Sequence, residues 1–196
     1  WVKLEGLNPT GSYKDRMAVS VLQNALKRGD IKTGDRVVEY TGGSTGTSLA
    51  FVSAVLGLKF TAVFSDAFSK IKQQSMEAFG AKAIVIKSDN GNITPDLIQN
   101  MKNKAYELAK EPGTFYADQF GSSDVIKGYE SLGIEIVNQI DGNVNVLCAA
   151  VGTGGALMGT YSGLVNSGMN PKLIALRSEE HTSELQSLVN LVCRLL

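Results

Sequence analysis

Val37-Val38-Glu39-Tyr40-Thr41-Gly42-Gly43-Ser44-Thr45-Gly46 is the stretch whose reading decides the fold. Residues 37–40 read as a mostly buried strand. After the Gly/Ser/Thr turn, Leu49, Ala50, Val52, Ala54 and Val55 recur at helical spacing. Strand, small-residue loop and helix in that order aim backbone N–H groups and a helix N-terminus at an anion. Gly152-Thr153-Gly154-Gly155 repeats the device after the apolar run 144–151. Glycines there permit close backbone approach and positive φ, although such turns also occur for tight packing alone.

The same alternation runs along the chain. Strands are expected near 37–40, 60–64, 83–86, 115–117, 146–151 and 173–176. Helices are expected near 16–28, 45–56, 70–79, 95–108, 123–140 and 155–166. Short continuous apolar strands between helices predict an α/β fold with parallel sheets covered on both faces. The run 146–150 reads as fully buried, which makes Cys148 a small core residue. Gly57, Gly80 and Gly168 fall where left-handed helix caps are expected. Both glycine loops lie at carboxyl ends of strands, where open α/β sheets bind ligands.

Asn8-Pro9-Thr10-Gly11-Ser12-Tyr13-Lys14-Asp15-Arg16 places a lysine between a Pro/Gly/Ser turn and a helical run. An amine held there can point into a cleft and condense with an aldehyde, the anchoring reaction of pyridoxal phosphate (PLP). A solvated lysine in a helix's first turn is the plain reading of this segment by itself. Lys14 with two anion-binding loops is a more specific constellation.

These segments resemble the cysteine synthase / cystathionine β-synthase group of fold-type II PLP enzymes, in the tryptophan synthase β-like superfamily. Residues 3–16 resemble the group's lysine motif, with Lys14 on the PLP lysine. Thr41, Gly42, Gly43, Ser44 and Thr45 resemble the loop that grips the substrate carboxylate, with Ser44 facing the cofactor's 3′ oxygen. Gly152, Thr153, Gly154 and Gly155 resemble the phosphate cup. Gln119, before Phe120, matches a glutamine that also meets the substrate carboxylate. Asn8 is a supporting or a turn residue, and Asp15 and Arg16 are read as structural. Two departures stand out: Ser44 replaces the usual Asn, and Gly121-Ser122-Ser123-Asp124 replaces an Asn-Pro-rich stretch.

The resemblance implies a two-domain, three-layer fold with helices on both faces of parallel sheets, here truncated at both ends. Residues 1–29 and 121–176 would belong to a larger PLP-binding domain, and 30–120 to a smaller subdomain carrying the substrate loop. It further implies β-replacement on an O-activated serine, most simply O-acetylserine plus sulfide giving cysteine, with Lys14 as both anchor and general base. The alternatives are a lyase of the serine/threonine dehydratase or threonine synthase type, or a fragment or paralogue that keeps only the fold. A cytoplasmic homodimer acting on a small amino acid is expected of the full-length parent.

Composition agrees. Lysine plus arginine number 19, as do aspartate plus glutamate, so no basic field points to nucleic acid. No apolar run approaches a membrane span. Two cysteines give no disulfide framework. A Rossmann-type nucleotide site is disfavoured because neither loop carries Gly-x-Gly-x-x-Gly. Residues 177–187 resemble the translation of a short-read sequencing adapter, so His181 and Cys193 receive no role and no metal site is expected.

Overall fold

The computed structural model describes residues 1–176. Residues 177–187 and the reading attached to them lie outside the described residues. The elements run α1 (Lys14–Arg28), β1 (Arg36–Tyr40), α2 (Ser44–Val55), β2 (Lys59–Ser65), α3 (Lys70–Ala78) and β3 (Lys82–Ile86). They continue α4 (Pro95–Ala109), β4 (Thr114–Tyr116), α5 (Ser123–Gln139), β5 (Val146–Ala150), α6 (Gly155–Asn166) and β6 (Lys172–Leu176). The chain divides into two compact units, the first ending at Asp124.

In the first unit four parallel strands lie in the order β3-β2-β1-β4. Val38 sits opposite Thr61 of β2 and Tyr116 of β4. Strand side chains alternate between faces. Val38, Tyr40 and Val63 pack with Leu97, Met101, Ala105 and Leu108 of α4, so Glu39 points to the opposite face. There α2 packs on β2, α1 on α2, and α3 also on α2. Thr94 starts α4 by accepting the Leu97 N–H, with Pro95 at the first helical position. Asp124 is tied to α1: Arg28 Nη1 and Asn24 Nδ2 donate to its carboxylate at 2.6 and 3.0 Å, and Ser20 Oγ donates to its carbonyl at 2.8 Å.

In the second unit β5 and β6 pair in parallel across α6. The residues of α5 from Val125 on meet α6 at very short range, because glycines line the crossing. A Cβ on Gly159 would run into the Ile126 carbonyl, and one on Gly163 into the Glu130 carbonyl.

The expected elements are present, with ends displaced by a residue or two. Gly57, Gly80 and Gly168 have φ of +68°, +83° and +86°, as their cap positions require. Helix α1 begins at Lys14 rather than Arg16 because Ser12 Oγ accepts the Lys14 N–H at 3.2 Å. The buried reading of β5 is corrected. Val146, Cys148 and Ala150 are exposed, alternating with half-buried Leu147 and Ala149. Among the described residues β5 belongs to a two-stranded sheet, so only one of its faces is covered, and the core role given to Cys148 does not hold.

Gly159→Ala is expected to destabilise by about 1–3 kcal/mol, the usual cost of overpacking. Gly6→Ala, where a Cβ meets nothing within 4 Å, is the control. Urea midpoints of the two variants check this.

Candidate active site

Strand order reverses at β1: the chain adds β2 and β3 on one side, then β4 on the other. Open α/β sheets bind ligands at such a reversal, beyond the carboxyl ends of the strands. The carboxyl end of β1 leads into Thr41–Thr45, and that of β4 leads into Gln119.

The Thr41 hydroxyl oxygen accepts the N–H groups of Gly43 and Gly46 at 3.0 and 3.1 Å and so shapes the turn. The first helical bond of α2 runs from Thr47 N–H to the Gly43 carbonyl at 3.0 Å. The N–H groups of Ser44 and Thr45, ahead of it, have no acceptor among the described residues. They are the orphan donors a helix start offers to an anion. Gly43 has φ +152°, and a Cβ on it would strike the Lys72 side chain. A Cβ on Gly42 would come within 2.9 Å of the Phe68 ring. The Ser44 side chain is exposed.

Gln119 closes the other side. Thr45 Oγ1 donates to its Oε1 at 2.7 Å, and its Nε2 donates to the Tyr40 carbonyl at 3.1 Å. Phe120 stacks on Tyr40 with centroids 5.6 Å apart. Asp118 holds φ +49°, which Asp tolerates better than most residues, and its carbonyl accepts the Ser122 N–H at 2.9 Å.

Lys14 opens α1 on a cross-braced turn. Asp15 Oδ2 accepts the Thr10 N–H at 2.9 Å and its Oδ1 the Thr10 hydroxyl at 2.6 Å. Thr10 Oγ1 also lies 3.1 Å from Ser48 Oγ on α2. Arg16 grips Glu5 with two nitrogens, Nε at 2.7 Å and Nη2 at 2.9 Å. The Asn8 amide donates to Glu5 Oε2 at 2.8 Å and to the Ser12 carbonyl at 3.2 Å, so it is fixed as a turn residue here. Burial lowers the Lys14 amine to about 8, against the opposing pull of Glu39.

Glu39 is the residue that sequence reasoning passed over. It is fully buried in the middle of the sheet (0% exposed). Its carboxyl accepts the Tyr40 N–H at 3.0 Å and the Gln119 N–H at 2.9 Å. Desolvation pushes it up to about 8. An acidic residue flanked by Val37, Val38 and Tyr40 was the available signal.

The second unit carries Gly152, Thr153, Gly154 and Gly155. Gly154, φ +83°, caps α6, and the first helical bond runs from Met158 N–H to the Gly154 carbonyl at 3.1 Å. Ahead of it the N–H groups of Ala156 and Leu157 have no acceptor among the described residues. A Cβ on Gly155 would press on Val125, whereas one on Gly152 would meet nothing within 4 Å. This open, N–H-lined turn fits a phosphate, and the desolvated Lys14 amine fits an aldehyde-bearing cofactor. Among the described residues no group of three or more His, Cys, Asp or Glu could hold a metal. No described helix is long and apolar enough to cross a membrane.

The amine, the two loops and the strand order define a chain of the fold-type II PLP-enzyme class. A family model described as pyridoxal-phosphate dependent enzyme matches residues 1–190, and the chain belongs to that family. Within it the chain is similar to cysteine synthases. Cysteine synthase B of Escherichia coli (strain K12) is 33% identical over 184 residues, covering 93% of this chain and 59% of that protein. Cysteine synthase of Staphylococcus aureus (strain N315) is 34% identical over 183 residues, covering 91% and 56%. The chain thus spans less than two thirds of these relatives. Among solved structures, O-ureido-L-serine synthase superposes with TM-score 0.81 at 31% identity, covering 90% of this chain and 55% of that one. Cysteine synthase of Entamoeba histolytica superposes with TM-score 0.81 at 32% identity, covering 92% and 52%.

Two expected outcomes follow from this chemistry. Asp15→Ala strands the Thr10 N–H and leaves the Thr10 hydroxyl with Ser48 as its remaining partner, and is expected to cost about 1–3 kcal/mol, read as a lower urea midpoint. The second concerns pH. The folded value of Glu39 lies above its ordinary 4.5, so its contribution is fully present below pH 4.5 and is lost as pH rises through about 8. The folded value of Lys14 lies below its ordinary 10.5, so its contribution is present above 10.5 and is lost as pH falls through about 8. Thermal stability should therefore dip near pH 8, and Lys14→Met should remove the recovery on the alkaline side.

Proposed function

We propose that the full-length protein catalyses β-replacement on an O-activated serine, with O-acetylserine and sulfide giving cysteine. The observation that carries this reading is the desolvated Lys14 amine, lowered to about 8, in the same unit as a helix N-terminus with two open N–H groups. Lys14 would hold PLP, and Gly152, Thr153, Gly154 and Gly155 would receive its phosphate. Ser44 would meet its 3′ oxygen, supplying one hydroxyl donor where an amide has two. Bound PLP draws electrons from the α-carbon of an attached amino acid, easing loss of the α-proton and of the β-leaving group.

The chain's own residues do the rest. The Ser44 and Thr45 N–H groups, with Thr41, Gly42, Gly43 and Gln119 around them, bind the substrate carboxylate and so fix the α-carbon. The released Lys14 amine takes the α-proton as general base. An amine near 8 is partly unprotonated at neutral pH and can accept a proton without prior activation. In the full-length protein residues 1–29 and 121–176 would form the larger domain and 30–120 the smaller, in a cytoplasmic homodimer. A second reading keeps the reaction and changes the nucleophile. The serine at position 44 and the similarity to O-ureido-L-serine synthase favour it.

The test is to add PLP, reduce with borohydride, map the pyridoxyl group, and assay cysteine formation from O-acetylserine and sulfide. The expected result is a label on Lys14, with turnover reduced at least about 100-fold in Lys14→Ala, in the range for a lost general base. A label elsewhere overturns the assignment of Lys14. A label on Lys14 without cysteine formation favours the second reading.

A further inference from the structure

The buried carboxyl of Glu39 has no part in the chemistry above, and fully buried carboxylates are rare unless paired or functional. Its place in the sheet is unusual. Val38 of β1 sits opposite Tyr116 of β4, and the Val38 carbonyl accepts the Ala117 N–H at 3.1 Å. A parallel ladder continued by one rung would pair the Gln119 N–H with the Tyr40 carbonyl, and the Tyr40 N–H with a carbonyl of the segment after β4. Both N–H groups go to Glu39 instead. Oε1 accepts that of Tyr40 at 3.0 Å, and Oε2 accepts that of Gln119 at 2.9 Å. The Tyr40 carbonyl is taken by the Gln119 side chain, whose Nε2 donates to it at 3.1 Å. Two side chains thus replace one rung of backbone pairing. Asp118, at φ +49°, has by then left the extended conformation.

The replaced rung has a consequence at the turn. A carboxyl standing between two N–H donors keeps the ends of β1 and β4 from closing on each other, and it fixes the backbone from which the Gln119 side chain leaves. That side chain is then held at both polar ends. Its Oε1 accepts the Thr45 hydroxyl at 2.7 Å, and its Nε2 uses one of two hydrogens on Tyr40. Glu39, Thr45 and Gln119 are all buried, so water does not compete for these bonds. Helix α2, which covers this face, brings no charged side chain to draw the carboxyl away. On β2 the residue opposite Glu39 is Ala62.

We propose that Glu39 is a positioning residue for substrate binding: its carboxyl takes the place of the last rung between β1 and β4 and so holds Gln119 against Thr45, at the turn that receives the substrate carboxylate. The proposal rests on the reading of Thr41–Thr45 and Gln119 as that site. Glu39 touches no substrate itself and acts through Gln119.

The test uses the full-length protein with PLP added and reads two quantities, deuterium exchange at the Gln119 amide and KM for O-acetylserine. In the wild type the Gln119 amide is expected to exchange slowly, although it lies beyond β4. Glu39→Gln keeps the size of the side chain but only one acceptor oxygen, so it cannot serve both N–H groups. In this variant Gln119 exchange should speed up and KM should rise at least about 5-fold, the scale of one hydrogen bond, with kcat changed less. Gln119→Ala removes the side chain that Glu39 positions. In that background Glu39→Gln should raise KM by less than about 2-fold, because the two residues act as one unit. A KM unchanged in Glu39→Gln, or raised equally in both backgrounds, overturns the proposal. A Gln119 amide that exchanges freely in the wild type overturns it without any variant. Failure of the wild type to form cysteine removes the proposed function instead. The exchange rates need no substrate, and an unchanged rate at Gln119 in Glu39→Gln then overturns the positioning role by itself.

Discussion

Strand β1 lies between β2 and β4, although β4 is the last of the four strands to be made. Because all the strands run parallel, the segments after β1 and β4 leave the sheet at the same edge and next to each other. No strand-to-strand connection crosses that gap, so side chains must close it. Thr45 and Gln119 do so with a 2.7 Å hydrogen bond, and Gln119 reaches back to the Tyr40 carbonyl. The turn from Thr41 to Thr45 is free to present N–H groups outward because Thr41 satisfies the inner ones.

The electrostatics follow from this packing. A site closed by apolar strands and by an α2 without charges offers little solvation to either Lys14 or Glu39. Desolvation is the largest influence on both groups and exceeds their mutual attraction. Each therefore shifts toward its neutral form, the amine downward and the carboxyl upward. A lysine prepared in this way needs no neighbouring base to become a nucleophile. The turn before it, cross-braced through Asp15 and through Arg16 with Glu5, fixes the backbone from which the Lys14 side chain leaves.

Much of this was legible in the chain. The alternation of apolar runs and helical spacing located all twelve elements, because buried parallel strands leave a continuous apolar signature. The two glycine loops and Lys14 stood out as candidates because anion binding and amine chemistry restrict residue type at fixed places. Glu39 was not, since its role depends on the Gln119 N–H, 80 positions away, coming within 2.9 Å of it. Asp118 was likewise hidden, because its positive φ is a property of the turn that it completes. The exposure of Cys148 shows the converse: an apolar run records what a strand can bury, while the number of neighbouring strands and helices decides what it does bury.

The glycines of the two loops also differ in what demands them. Gly155 is explained by its approach to Val125, and Gly154 by a left-handed cap. Gly43 combines a backbone that side chains rarely adopt with the Lys72 stem lying against it. Gly152 has neither reason, since its φ is unremarkable and the space beside it is open. A glycine that neither strain nor packing requires, next to unsatisfied N–H groups at a helix start, leaves room that a phosphate with three oxygens can use. The Thr41–Thr45 loop likewise has two open N–H groups, those of Ser44 and Thr45, and adds the exposed Ser44 hydroxyl, so it differs in its lining and not in the number of backbone donors. The two loops are similar in pattern and different in chemistry, so under the proposed function an anionic cofactor and an anionic substrate would each meet its own anion-binding turn.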